Sequence, residues 1–324
     1  MQKLKYISLL LALFFLLTGC TPASPANNSP IEKPVLLGYA QLGSESAWRI
    51  GNSQSIKDAA QRAGVQLMFE NAEQSQEKQI KAIRSFIAYQ VDVIAFSPIV
   101  EDGWDNVLRE AKEAGIPVLL VDRLIKTEDD SLYVGFIGSD FFREGRSAGQ
   151  FLLKKTAGMD HVRIVEIAGT EDSSPMRQRG LGFREVLNGD PKYEIMGSVS
   201  GDFLLSKGRE CMEYLLEKYP DIDVLYSHND SMTLGALETI EAAGLIPGKD
   251  IVIITVDGEQ KAIDLLKEGK INCVVECTPK LGDVVMALAK KLANGETIER
   301  NTYSIETVFT EFDDNLDSLP PRGY

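Results

Sequence analysis

The chain has two histidines, His161 and His228, far apart in its 324 residues, and four cysteines. A Cys/His cluster with metal-ligand spacing is therefore missing, so neither a metal nor a cofactor is expected. No run of five basic residues occurs in the sequence, and the formal charge is −14. Nucleic acid and anionic lipid surfaces are poor partners for such a chain, whose acidity reads as solubility. Apolar runs of membrane-spanning length are lacking at the start, where Leu9 to Leu17 gives nine residues against the ~20 that a spanning helix needs. No short-period repeat is visible, and no nucleophile stands beside a base.

The short apolar run follows Lys3 and Lys5 and ends in Leu17-Thr-Gly-Cys20. This reads as a signal peptide h-region rather than an anchor. Its exit is similar to the lipobox of bacterial lipoproteins, in which cleavage before the cysteine leaves its thiol carrying a diacylglycerol. Residues 1–19 are expected to be removed, Cys20 to be lipidated, and the chain to be held outside the cytoplasmic membrane, in the periplasm or on the outer face of the cell. Loss of two lysines takes the charge from −14 to −14 − 2 = −16. Residues 20–33 hold Thr21-Pro-Ala-Ser-Pro-Ala-Asn-Asn-Ser-Pro30, small and polar, and read as a linker. The folded part, about 280 residues, is the length of two domains rather than one core.

Three cysteines remain: Cys211, Cys273 and Cys277. An odd number in an exported protein leaves at least one thiol unpaired. Cys273 and Cys277 lie on a strand pattern, ~13 Å apart, too far to bridge. Buried, unreactive thiols are the expectation.

From Val35 onward, short apolar runs alternate with amphipathic stretches. Strands are expected at 35–40, 65–70, 91–96 and 116–121, with helices at 46–63, 76–89 and 104–114 between them. A second unit follows, with helices at 141–155, 176–187, 205–218, 231–243, 260–268 and 281–293. Its strands fall at 162–167, 193–199, 223–227, 250–256, around the cysteine pair and at 304–310. Runs apolar on both faces and separated by helices point to parallel sheets covered on both sides. The fold class is α/β, two doubly wound, Rossmann-like parallel-sheet lobes joined by a hinge.

In open α/β sheets, ligands bind outside the carboxyl ends of the strands. Those ends carry the unusual polar residues: Gln41 to Arg49, Asp122-Arg123, Thr170 to Arg179, His228-Asn-Asp230 and Asp257-Gly258. Two strands even end alike, in Val121-Asp122 and Val256-Asp257. Carboxylates, amides and guanidinium groups can each engage adjacent hydroxyls in paired hydrogen bonds. An indole can cover the C–H face of a sugar ring. Each residue also has a structural alternative: Asp122 or Asp257 as a loop cap, Trp48 in a core, Arg49 on a helix surface, Asn229 in a turn.

The stretches Gly43-Ser-Glu-Ser-Ala-Trp-Arg49, Gln79-Ile-Lys-Ala-Ile-Arg-Ser-Phe86, Val121-Asp-Arg123, Ser200-Gly-Asp-Phe203, His228-Asn-Asp230 and Gly323-Tyr324 carry a resemblance covering Val35 to Tyr324. The chain resembles the periplasmic sugar-binding proteins of ABC importers, the type I periplasmic binding proteins of the ribose and galactose class, and within it the galactofuranose-binding members. The resemblance implies a monosaccharide ligand, ABC permease subunits as partners, a monomer, and closure of two lobes about a hinge. It implies sugar contacts from Glu45, Ser46, Ala47, Trp48, Arg49, Asp122, Arg123, Arg179, Asn229 and Asp257. The loop Glu171 to Met176 departs from the family pattern, so the arginine is placed at Arg179 rather than Arg177 by counting back from Gly182-Phe183. Crossings between lobes are expected near Leu124 to Val134, Gly258 and Thr278. The first lobe would then hold 34–123 plus 258–277 and the second 124–257 plus 278–324. A sensor docking on a membrane kinase or chemoreceptor would use the same pocket. An exported carbohydrate-active enzyme would need a carboxylate pair with one perturbed member, and Arg123 beside Asp122 holds that carboxylate ionised. No enzyme activity is expected.

Overall fold

In a computed structural model of the chain, residues 33–324 are described; the signal peptide, Cys20 and all of the linker but its last residue lie outside them. The first sheet is built in chain order from β1 (Leu36–Gln41), β2 (Gln66–Asn71), β3 (Val93–Phe96), β4 (Val118–Val121) and β5 (Gly135–Gly138). Between its early strands lie α1 (Ala47–Ala63), α2 (Gln76–Ala88) and α3 (Asp105–Glu113). The second sheet follows α4 (Phe141–Lys155), with β6 (Val162–Ala168), α5 (Ser174–Leu187), β7 (Tyr193–Ser200), α6 (Leu205–Lys218), β8 (Val224–Ser227), α7 (Asp230–Ala242), β9 (Val252–Asp257), α8 (Gln260–Lys267) and β10 (Cys273–Glu276). The chain then returns through α9 (Gly282–Ala293) and β11 (Asn301–Tyr303) and ends beyond β12 (Val308–Thr310).

The two sheets have matching orders, β11-β5-β4-β3-β1-β2 and β12-β10-β9-β8-β6-β7. All pairings are parallel except β10 with β12. Alternation along each strand feeds two core layers, as the period of two demands. In the first sheet Leu37, Tyr39, Val93, Ala95, Leu119 and Val121 face α1 and α9. Their neighbours Ala40, Ile94, Phe96 and Leu120 face α2 and α3. The second sheet repeats this, with α4 and α5 on one face and α6, α7 and α8 on the other.

The lobe boundaries differ from the expectation. Residues 124–134 stay in the first lobe, because they lead into β5, which pairs with β4 and β11. Strand β5 was not foreseen, since Gly135-Phe-Ile-Gly138 is four residues long with two glycines. Gly258 is no crossing either: α8 after it buries Ala262, Ile263, Leu265 and Leu266 in the second lobe. Residues 273–276 belong to the second sheet, whereas α9 and β11 return to the first. Of the expected strand 304–310, residues 308–310 are β12, whereas 304–307 are a crossing that leads to it from β11 in the other sheet. The chain crosses at 139–140, at 277–279, which includes the expected Thr278, and at 304–307.

The crossings are tied together by one carboxylate. Glu306 Oε1 accepts from the Thr278 N–H at 3.0 Å, from the Ser304 hydroxyl at 2.9 Å, and from the Ser139 hydroxyl. Ser139 also lies 3.3 Å from the Cys277 sulfur. Every crossing segment therefore contributes a group to the same small cluster.

Candidate functional site

The strand-end residues of both sheets converge on a cavity between the lobes. Asp122 and Asp257 end β4 and β9 with φ of 66° and 127°, a region that L-residues rarely occupy. Such backbone costs of order 1–3 kcal/mol and is kept where the surroundings over-determine it. In both cases the departure turns the carboxylate out of the sheet line toward the cavity.

From the first lobe, Ser46 caps α1, its hydroxyl accepting from the Arg49 N–H at 3.1 Å. That start places Glu45, Trp48 and Arg49 on the cavity wall. Arg49 meets Glu45 Oε1 at 3.0 Å, Asp122 Oδ2 at 2.7 Å and Gln41 Oε1 at 3.3 Å. Burial alone would lower its pKa, but Asp122 and Glu45 outweigh that and raise it. Arg123 is brought down to about 10 by burial and by the charge of Arg49. It donates to the Ile99 carbonyl at 3.0 Å, while its Nε–H has no partner.

From the second lobe comes Arg179, on α5. This helix lies unusually close to α4, since a Cβ at Gly145 would stand 2.1 Å from the Arg179 carbonyl oxygen. Only glycine permits that approach. Arg179 donates to Glu144 Oε2 at 2.7 Å and to the His228 carbonyl at 2.5 Å, leaving Asp257 at 3.9 Å. Burial pushes the Asp257 carboxyl well up, with Arg179 opposing and Asp230 and Glu259 adding to the rise. Asn229 caps α7 by accepting from the Met232 N–H at 2.9 Å and donates to the Phe203 carbonyl at 3.3 Å. Its expected alternative as a local structure former is real, and it lines the cavity as well.

Each arginine lies over an aromatic ring: Arg49 over Trp48 at 4.6 Å, Arg123 over Phe203 at 5.1 Å and Arg179 over Phe141 at 5.2 Å. A guanidinium over a ring face is held there by cation–π attraction. Trp48 is buried and donates its indole N–H to the Cys277 carbonyl at 2.6 Å, so a first-lobe side chain grips a crossing segment.

Of the ten sequence-derived positions, the structure gathers Glu45, Ser46, Trp48, Arg49, Asp122, Arg123, Arg179, Asn229 and Asp257 on this cavity. Ala47 is not among its lining and is exposed on the first turn of α1. Arg177 points elsewhere, to Glu101. Four lining residues escaped the sequence reading: Phe141, Pro175, Phe203 and Cys277. The strand-exit rule reaches Cys277 and the stretch Ser200-Gly-Asp-Phe203 contains Phe203. Phe141 follows the unrecognised β5, and nothing in the sequence singles out Pro175.

Cys211, Cys273 and Cys277 are free thiols, the last two buried and pushed upward in pKa by that burial. Glu144, Cys277 and Glu306 bring one ligand atom each within 4.8 Å of one another. Arg179 donates to Glu144 Oε2, leaving Glu144 Oε1 buried without a hydrogen bond, and hydrogen bonds from all three crossings reach Glu306 Oε1. This geometry is that of a hinge clasp.

The family model of the periplasmic binding protein domain matches residues 38–297. The galactofuranose-binding protein YtfQ of Escherichia coli (strain K12) is 39% identical over 280 residues, covering 85% of this chain and 88% of its own. A solved structure from Mycobacterium smegmatis in complex with β-D-fucofuranose is 47% identical, with a TM-score of 0.85 over 88% of this chain and 93% of that one. The binding protein of an arabinose ABC transporter from Shewanella sp. ANA-3, bound to α- and β-L-arabinofuranose, is 41% identical, with a TM-score of 0.83 over 88% and 94%. With the paired sheets, the three crossings and the cavity between the lobes, these matches show that the chain belongs to the periplasmic binding proteins, with the two-lobed fold of the type I class, and is a binding protein rather than an enzyme.

Proposed function

We propose that the protein captures one monosaccharide in its furanose form between the two lobes and delivers it to an ABC importer. The observation that carries this reading is the matched pair Asp122 and Asp257, one from each sheet, facing a single cavity that Arg49, Arg123 and Arg179 also line. Hydroxyls bound to both carboxylates would hold the lobes together, and the closed form is what a permease distinguishes. Trp48, Phe141 and Phe203 supply apolar faces for ring carbons. The furanose preference is supported by relatives named for galactofuranose, fucofuranose and arabinofuranose.

The decisive experiment is calorimetry with galactose, fucose, arabinose and ribose, followed by NMR of the bound sugar. A stoichiometry near one and a bound furanose spectrum are expected, unchanged by chelator. A bound pyranose would overturn the ring-form reading, and no binding to any of the four would overturn the ligand class. The protein is taken to act as a monomer outside the cytoplasmic membrane, lipid-anchored through Cys20. Mass spectrometry of the mature N-terminus should find a diacylglyceryl group on Cys20, and Cys20→Ala should release the chain or leave it uncleaved.

A further inference from the structure

A second set of contacts joins the lobes at the cavity mouth without lining the cavity. Glu101, in the loop after β3, receives a two-pronged bond from Arg177 on α5: Nε–H to Oε2 at 2.8 Å and Nη2–H to Oε1 at 2.7 Å. The Glu101 N–H also donates to the Asp172 carbonyl at 2.8 Å. Beside it, the Leu124 N–H donates to the Ser174 hydroxyl at 2.9 Å. Glu101 and Leu124 belong to the first lobe, while Asp172, Ser174 and Arg177 belong to the second. None of the five is among the residues lining the cavity.

The place of this seam matters. Strand β6, which precedes Asp172, lies near the far side of its sheet from β10 and β12, the strands next to the crossings. Rotation about the crossings therefore moves the mouth more than the hinge side, and all four bonds require the lobes to be together. Glu101 is 6% exposed, so its carboxylate is largely withdrawn from water, whereas Arg177 is exposed. Parallel guanidinium–carboxylate bonds are directional and stronger than a point-charge contact. The loop Glu171 to Met176 supplies two acceptors to this seam, the Asp172 carbonyl and the Ser174 hydroxyl.

We propose that the Glu101–Arg177 pair, with the Asp172 and Ser174 bonds beside it, is an interlobe latch that sets how long a sugar stays bound while touching none of it. This rests on the reading that the lobes close on a sugar. A group that stabilises only the closed state shifts that population by its own differential free energy, whatever the ligand. Glu101 and Arg177 are thus positioning residues, and their effect belongs on release rather than encounter.

Release and association rates should be measured by stopped flow for wild type, Glu101→Gln, Arg177→Met and the double variant, with two different sugars. Release should quicken about five- to twentyfold in each single variant, as for loss of a charge-assisted pair with one buried partner. The factor should be the same for both sugars, association nearly unchanged, and the double variant no faster than a single one. The charge-swapped Glu101→Lys/Arg177→Glu pair should recover part of the residence time. Unchanged release, additive single effects, or a factor that depends on the sugar would overturn the latch. Should wild type bind no sugar at all, the ligand reading fails instead, and small-angle scattering judges the latch alone. Arg177→Met must then be more open than wild type, and equal scattering curves overturn it.

Discussion

Asp122 and Asp257 close equivalent strands of two sheets with the same order, and both turn through left-handed backbone toward one cavity. Their electrostatic situations are opposite. Asp122 lies 2.7 Å from Arg49, which is itself anchored to Glu45. Asp257 is 3.9 Å from Arg179, whose nearer donors are committed to Glu144 and the His228 carbonyl, and burial drives its pKa well up. The first lobe thus presents a carboxylate in close ion contact within its own lobe, though its Oδ2 makes no hydrogen bond, and the second a carboxylate whose arginine is farther off. If the proposed sugar site is right, a hydroxyl would complete the second more than the first, so one aspartate would be part of the apo architecture and the other would wait for ligand.

The sharpest way to break this contrast is thermal unfolding without sugar. Asp122→Ala removes a partner from a buried arginine, and broken buried pairs cost about 3–5 kcal/mol. Since Glu45 still holds Arg49, the lower end applies, a drop in Tm of roughly 6–12 °C at about 2–4 °C per kcal/mol. Asp257→Ala should melt at or above the wild-type temperature, because it removes a buried carboxylate whose charge the fold disfavours. Equal losses in both variants would end the distinction.

Affinity comes next. Hydrogen bonds to charged groups contribute about 1.5–3 kcal/mol, so Asp257→Ala should weaken sugar binding about 10- to 100-fold in calorimetry. Taken with an undiminished apo melting temperature, that would make Asp257 a ligand group in the strict sense. Affinity that survives while the apo protein melts earlier would make it a cap.

These two tests also mark what a sequence can and cannot carry. The strand-exit rule located both aspartates, and apolar runs separated by helices gave both lobes, because those signals are local. What failed was non-local. Gly135-Phe-Ile-Gly138 is too short and too glycine-rich to read as a strand, and is one only because β4 and β11 flank it. With β5 unseen, the first crossing was placed too early, Gly258 was taken for a crossing and the one at 304–307 was missed, while Thr278 lies in a crossing as expected. Nor does spacing say that Arg49 and Asp122 pair, being 73 positions apart, so the two aspartates look alike in sequence and differ in the fold. Ala47 shows the reverse limit: it is bracketed by Ser46 and Trp48 on the cavity, yet helical periodicity turns it out to solvent.

Tryptophan fluorescence asks whether the indole shares in ligand contact or only holds the hinge. Trp104 is fully buried among first-lobe core residues, donating to the Val100 carbonyl, and should contribute a constant signal. Trp48 lines the cavity, with Arg49 over its ring and its N–H on the Cys277 carbonyl. In Trp104→Phe protein, saturating sugar should change the emission of Trp48 as its remaining ring surface loses water. An unchanged spectrum would confine Trp48 to gripping the crossing segment.

The smallest effect concerns Glu306, which resembles Asp257 in being a carboxyl that burial and a neighbouring acid, Glu144, push up, here from 4.5 to about 8. It differs in having its donors already: the Ser139 and Ser304 hydroxyls and the Thr278 N–H all reach Oε1. Because the folded pKa is raised, the folded protein keeps a proton that the unfolded chain releases above about 4.5. The resulting stability is complete below that pH and is lost progressively as pH rises toward about 8. The groups facing Glu306 are Glu144, Cys277 and, through Glu144, Arg179. Removing the Glu306 charge should ease ionisation of Glu144 in turn. Glu306→Gln keeps an acceptor for the three donors and cannot titrate. Its stability, from denaturant unfolding at pH 5, 6.5 and 8, should match wild type at the lowest pH and exceed it increasingly toward the highest. Asp230 is also raised to about 8, by burial, and leaves a residual slope common to both proteins. Parallel curves would mean that these three donors satisfy the Glu306 charge in the folded state, so that burial does not hold the proton on it.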